Sequence, residues 1–131
     1  MLAVFAAAGL ALEALHAFKV GAYLDAGAET RRLMLRLCHS HGALLGLCQL
    51  AFAFCADRFA LDGGSVGARS LHAASVLMPV GFLWGGLQMA DNGIDPGVGV
   101  FMVPPGGLFL VVAAGSIGWQ VWRQSGAKSA S

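Results

Sequence analysis

Residues 33–56 read LMLRLCHSHGALLGLCQLAFAFCA, twenty-four positions in which Arg36 is the one formally charged side chain. About 20 consecutive apolar residues cross a bilayer as a helix, so this run reads as a transmembrane span. The flanks agree. Asp57 and Arg58 close it, and the polar stretch Asp25-Ala26-Gly27-Ala28-Glu29-Thr30-Arg31-Arg32 precedes it. Working outward, a first apolar run covers residues 2–24, a third covers 70–90 and a fourth covers 105–123. Asp62-Gly63-Gly64-Ser65 and Asp91-Asn92-Gly93 separate them as turn signals. The expectation is one all-α domain over residues 1–131, an integral membrane four-helix up-down bundle.

Composition supports that class. Of 131 residues 57% are hydrophobic and 11% charged, and mean hydropathy is +0.71. Soluble domains carry about 25% charged residues. The formal net charge of +1 provides no field for nucleic acid. Cys38, Cys48 and Cys55 form neither a disulfide framework nor a zinc knuckle, and read as small buried residues. The first run lacks a basic leader, and Glu13, His16 and Lys19 interrupt it, so it reads as a mature helix and not a secretion signal.

Proline and glycine complicate the fourth run. Asp95-Pro96 has the form of a helix N-cap followed by proline. Pro104-Pro105-Gly106-Gly107 then predicts either a helix starting at Pro105 or a short turn and a break. The segment between them is expected to fold over one end of the bundle. Gly42 with Gly46, and Gly81 with Gly85, form small-residue faces that let helices approach closely. They suit packing within the chain or a homo-oligomer. With both termini on one face of the membrane, Arg58, Arg69, Arg123 and Lys128 lie there, against Arg31, Arg32 and Arg36 opposite. The positive-inside rule then leaves the termini cytoplasmic by a margin of one charge.

Ionisable groups within spans cost roughly 2.5–3.5 kcal/mol each on insertion scales and so mark function by default. Glu13, His16 and Tyr23 share a stripe of the first run at helical spacing. His39 and His41 follow in the second, and Gln88, Met89 and Asp91 close the third. Counting from the predicted span ends at about 1.5 Å per residue, His16 and His41 each lie roughly 12 Å inside the same membrane face. His39 is slightly shallower. Three histidines therefore share one predicted layer, while His72 sits near the other face as an interfacial residue. Lys19 and Tyr23 read as interfacial anchors.

Neutral imidazole is a common metal ligand, and bundle cores build cofactor sites from facing helices. Glu13 and His16 have the Glu-x-x-His spacing of di-iron bundles, but the second such pair is missing. Haem b fits better: His16 paired with His39 or His41, room beside Gly42 and Gly46, and Arg31, Arg32 and Arg36 for the propionates. Copper or zinc held by Glu13, His16, His39 and His41 is the alternative. Against both stands the plainer reading that these histidines hydrogen-bond to Glu13 or to backbone carbonyls.

Cys38-His39-Ser40-His41-Gly42-Ala43-Leu44-Leu45-Gly46 resembles the His-x-His-x-x-Leu-Leu-Gly element of haem–copper oxidase-like membrane proteins. The chain also resembles short four-helix bacterial membrane proteins of unknown function. The first resemblance implies His39 and His41 as ligands on opposite sides of one helix. The second implies a bacterial inner membrane. Four spans without further histidines are too few for oxygen reduction by this chain alone.

Three functions follow as expectations. The first is a b-type haem or metal redox component passing electrons between a quinol and a partner. The second is a non-enzymatic accessory or structural subunit of a larger membrane complex. The third, ranked last, is a small transporter or proton relay, for which the later spans offer only Ser75 and Ser116 at their centres. Triad, phosphate-loop and nucleotide signatures are absent, and Gly63-Gly64 reads as a turn.

Overall fold

The first apolar run stops early. Helix α1 spans Leu2–Ala17, not the continuous stretch to Leu24 that hydropathy predicts. Lys19 turns left-handed at φ 49, its amide bonds to the His16 carbonyl at 3.1 Å, and the Val20 amide bonds to the Leu15 carbonyl at 3.1 Å. This paired 6→1 and 5→2 pattern is a Schellman stop, made here without glycine. A one-turn helix α2, Gly21–Leu24, and a 3-10 turn, Ala26–Ala28, carry the chain to α3, Glu29–Phe59. Helix α4 is Val66–Leu87. A 3-10 turn over Val98–Met102 runs straight into α5, Val103–Lys128.

This computed structural model describes residues 1–88 and 95–128, with side chains through Ser125. The expected turn at Asp91-Asn92-Gly93, the positions Met89 and Asp91, and the side chain of Lys128 lie outside the described residues. Among the described residues every regular element is helical. Helices α3, α4 and α5 are each long and apolar enough to cross a membrane, and α1 is a shorter apolar helix. At about 1.5 Å per residue, the 16 residues of α1 reach roughly 24 Å, short of the ~30 Å hydrocarbon core. The 31 residues of α3 exceed it at roughly 46 Å, so in a bilayer α3 would tilt or extend into the headgroups.

Successive long helices run antiparallel, and their contacts fix the register. Gly9, Phe5 and Leu2 of α1 meet His39, Gly42 and Gly46 of α3. Met34 and His41 of α3 meet Gly86 and Phe82 of α4. Gly67, Met78 and Gly81 of α4 meet Ile117, Gly106 and Val103 of α5. Helix α4 is the centre: 56% of its most apolar window is buried, against 22% for α3 and 17% for α5. The rest of those two helices presents large apolar side chains outward, among them Leu44, Phe54, Leu108, Val111 and Trp122. In lipid, such a surface carries no penalty.

Caps explain where the helices begin. Ser65 Oγ accepts the Ala68 amide at 3.3 Å and starts α4 at Val66, four residues before the predicted boundary at Ser70. The Pro104-Pro105 pair falls in the first turn of α5, where amides lack helical partners anyway, so no break occurs. The preceding 3-10 turn lies along the end of α4: the Gly97 amide bonds to the Gly85 carbonyl at 2.8 Å. Gly99 packs onto Trp84 so closely that a Cβ there would lie 2.5 Å from the Trp84 Cβ. The segment thus packs along the end of α4.

Candidate functional site

Histidine placement follows from those corrected helix ends. His16 sits one residue from the end of α1, whereas His41 is twelve residues, about 18 Å, from the start of α3. The predicted layer therefore opens. His39 lies level with Gly9, and His16 is seven residues further along α1, about 10 Å along its axis. The stripe also ends with the helix, so Tyr23 leaves it and becomes buried in α2, where an interfacial anchor was expected. Glu13 and His16 remain exposed.

Each of the other histidines is engaged locally. His39 Nδ1 lies 2.7 Å from the Phe5 carbonyl, and its ring lies across Gly9, where a side chain would collide with it. His41 Nδ1 lies 2.9 Å from the Leu37 carbonyl, and its ring stacks at a tilt on Phe82 with centroids 4.9 Å apart. His39 thus ties α3 to α1, and His41 faces α4. An iron clamped by two imidazoles needs both nitrogens roughly 2 Å from the metal. The register puts His16 too far along α1 to meet His39 so, and His41 points to another helix. The room beside Gly42 and Gly46 is filled by Phe5 and Leu2. His16, His39 and His41 are therefore not brought together around one point. Among the described residues no three His, Cys, Asp or Glu side chains gather on one metal-sized point.

The arginines divide similarly. Arg32 Nη1 donates to the Tyr23 carbonyl at 2.8 Å and the Asp25 carbonyl at 2.9 Å, fastening the link between α1 and α3. Arg31 and Arg36 stand exposed, and a shallow cleft of about 330 Å³ lies among Glu29, Arg32 and Arg36.

A different polar group emerges between α3 and α4. Gln49 Nε2 donates to Ser75 Oγ, and Ser75 Oγ donates to the His72 carbonyl at 2.8 Å. Ser75 is fully buried and Gln49 half-buried. His72 Nδ1 lies 2.8 Å from the Ala68 carbonyl. Pro79, also buried, has no N–H to return to the Ser75 carbonyl four residues back. Sequence reasoning passed over Gln49 because a single amide leaves the span intact. Its signal was available: Gln49 in α3 and Ser75 in α4 fall at matching antiparallel depth.

Both glycine faces are used inside the chain. Gly42 and Gly46 receive α1; Gly81 and Gly85 receive the 3-10 turn and the first residue of α5. A small-residue surface remains elsewhere. Between α3 and α5 runs a groove of about 450 Å³, floored by Leu71 and walled by Ala51, Cys55, Ala113, Ala114 and Gly118. No family model matches the chain, and no curated protein or solved structure does.

Proposed function

We propose that the chain is a non-enzymatic integral membrane protein, an up-down bundle in which α1 packs beside three spanning helices and which serves as an accessory subunit of a larger membrane protein. The α3/α5 groove carries this reading. Helix association in lipid depends on close packing, and small residues permit it. Ala51, Ala113, Ala114 and Gly118 line a trough open to the bilayer, while the Gly42–Gly46 and Gly81–Gly85 faces are already covered from within. The natural occupant is a transmembrane helix of another protein.

Cross-linking in native membranes tests this. A variant keeping Cys55 alone, treated with a short membrane-permeant cross-linker, is expected to give one adduct with a different membrane protein. Filling the groove by Ala114→Leu with Gly118→Leu should abolish it. A lone monomer, or an adduct only between two copies of this chain, would overturn the assignment.

One observation favours a redox reading as second choice. His39 and His41 both direct Nδ1 at a carbonyl, as metal-bound imidazoles do. Haem b, copper or zinc would then be held at Nε2 of these rings.

A further inference from the structure

One stripe of α3 faces outward along most of the helix. Leu33, Arg36, Ser40, Leu44, Leu47 and Phe54 are all exposed and follow one another at steps of three, four or seven residues, so they share one side. Exposed Arg58 continues the stripe four residues on. The helical rise places Arg36 and Arg58 about 33 Å apart, close to the ~30 Å hydrocarbon core. Two guanidiniums therefore mark the two phosphate layers, with an apolar strip between them. Ser40 interrupts that strip, but its hydroxyl donates to the Leu37 carbonyl at 3.2 Å.

The Arg36 end carries more than one charge. Among the described residues Arg36 makes no hydrogen bond or ion pair. A guanidinium at the edge of the hydrocarbon either pairs or reaches for the headgroups. Helical side chains lean toward the N-terminus, which carries Arg36 over Leu33 into the cleft of about 330 Å³ that it shares with Arg32 and Glu29. Arg32 is held by two carbonyls, which are neutral acceptors, so its charge stays uncompensated. Guanidiniums pair with phosphate oxygens in a bidentate fork. Glu29 lies seven residues outward of Arg36, about 10 Å along the axis, where a headgroup would extend. From the core outward, α3 thus presents an apolar strip, then two cations, then a carboxylate. Arg31 is also exposed, but it lies on another side of the helix and does not line the cleft.

We propose that this stripe binds phosphatidylethanolamine, with its phosphate on Arg36 and Arg32, its ammonium on Glu29 and one acyl chain along Leu44 and Leu47. Both headgroup charges then meet their opposites in the order in which the lipid carries them. The proposal rests on the membrane setting given above but not on the α3/α5 groove.

The test is native mass spectrometry of the purified full chain, titrated separately with the dioleoyl forms of phosphatidylethanolamine, phosphatidylglycerol and diacylglycerol. Phosphatidylethanolamine is expected to bind one-to-one and most tightly. Arg36→Gln should weaken it about tenfold, the fold-change for a lost hydrogen bond to a charged group. Glu29→Gln should remove the preference over phosphatidylglycerol. Both side chains are exposed, so neither variant threatens the fold. Arg31→Gln makes the same change of charge off the stripe and should leave binding unchanged, as should Ala114→Leu with Gly118→Leu. Absence of phosphatidylethanolamine binding, equal or tighter binding of phosphatidylglycerol or diacylglycerol, or equal losses in Arg31→Gln and Arg36→Gln would overturn the proposal.

Discussion

Removing Gln49 and removing Ser75 should have unequal consequences. In Gln49→Leu the Ser75 hydroxyl keeps its bond to the His72 carbonyl, so no buried group is orphaned. The loss is one interhelical hydrogen bond, worth about 0.6 kcal/mol on average within membranes and about 1.7 at most. In Ser75→Ala the Gln49 amide loses its acceptor between α3 and α4. A stranded buried donor costs about 1–3 kcal/mol, and the lower half of that range applies because Gln49 is half-buried and lines an open groove that offers partial relief. The double variant removes donor and acceptor together. It should therefore cost about 1 kcal/mol less than the sum of the singles, well beyond the ~0.3–0.5 kcal/mol scatter of independent sites. Reversible unfolding in mixed bicelles, titrated with a denaturing detergent, measures all three. Additive costs, or a larger cost for Gln49→Leu than for Ser75→Ala, would refute the bond as the link between these helices.

Other substitutions probe the remaining contacts. Ala60→Gly should stabilise the protein by about 0.5–1 kcal/mol, because Ala60 ends α3 at φ 50, where a side chain costs about 1–2 kcal/mol; the same unfolding assay shows it, and destabilisation would contradict the left-handed stop. Gly9→Leu should drive the His39 ring off its seat and loosen α1, seen as faster backbone hydrogen exchange over residues 2–17 with α4 unaffected. Unchanged exchange there would contradict the α1–α3 register. Arg32→Ala should expose the link over residues 18–28 to proteolysis, since two carbonyls lose their donor, whereas Arg31→Ala should not. Equal cleavage in both would refute the assignment.

The long helices were legible because burial in lipid demands composition, and composition is what a sequence displays. Residues 33–56 mark α3 without help from any partner, although the helix itself runs past both ends, where the polar flanks Glu29–Arg32 and Asp57–Phe59 still hydrogen-bond as helix. The stop at Lys19 was not legible, since Schellman geometry there uses neither glycine nor proline. That single miss propagated. A helix ending at Leu24 sets His16 deep, one ending at Ala17 sets it at the rim, and the layer of three histidines depended on the difference. Gln49 shows the converse. Its side chain is an unremarkable guest in an apolar run until the register of α3 on α4 sets it against Ser75.

The most direct test of the central claim, that His39 and His41 engage the neighbouring helices α1 and α4, is a visible spectrum of the detergent-purified protein. It should come from cells supplied with haem, be recorded oxidised and reduced, and be paired with elemental analysis. A colourless, metal-free protein in which His39→Ala weakens α1 docking is the result expected. A Soret band with sharp reduced bands, lost in His39→Ala or His16→Ala, would contradict it and make the histidines ligands after all.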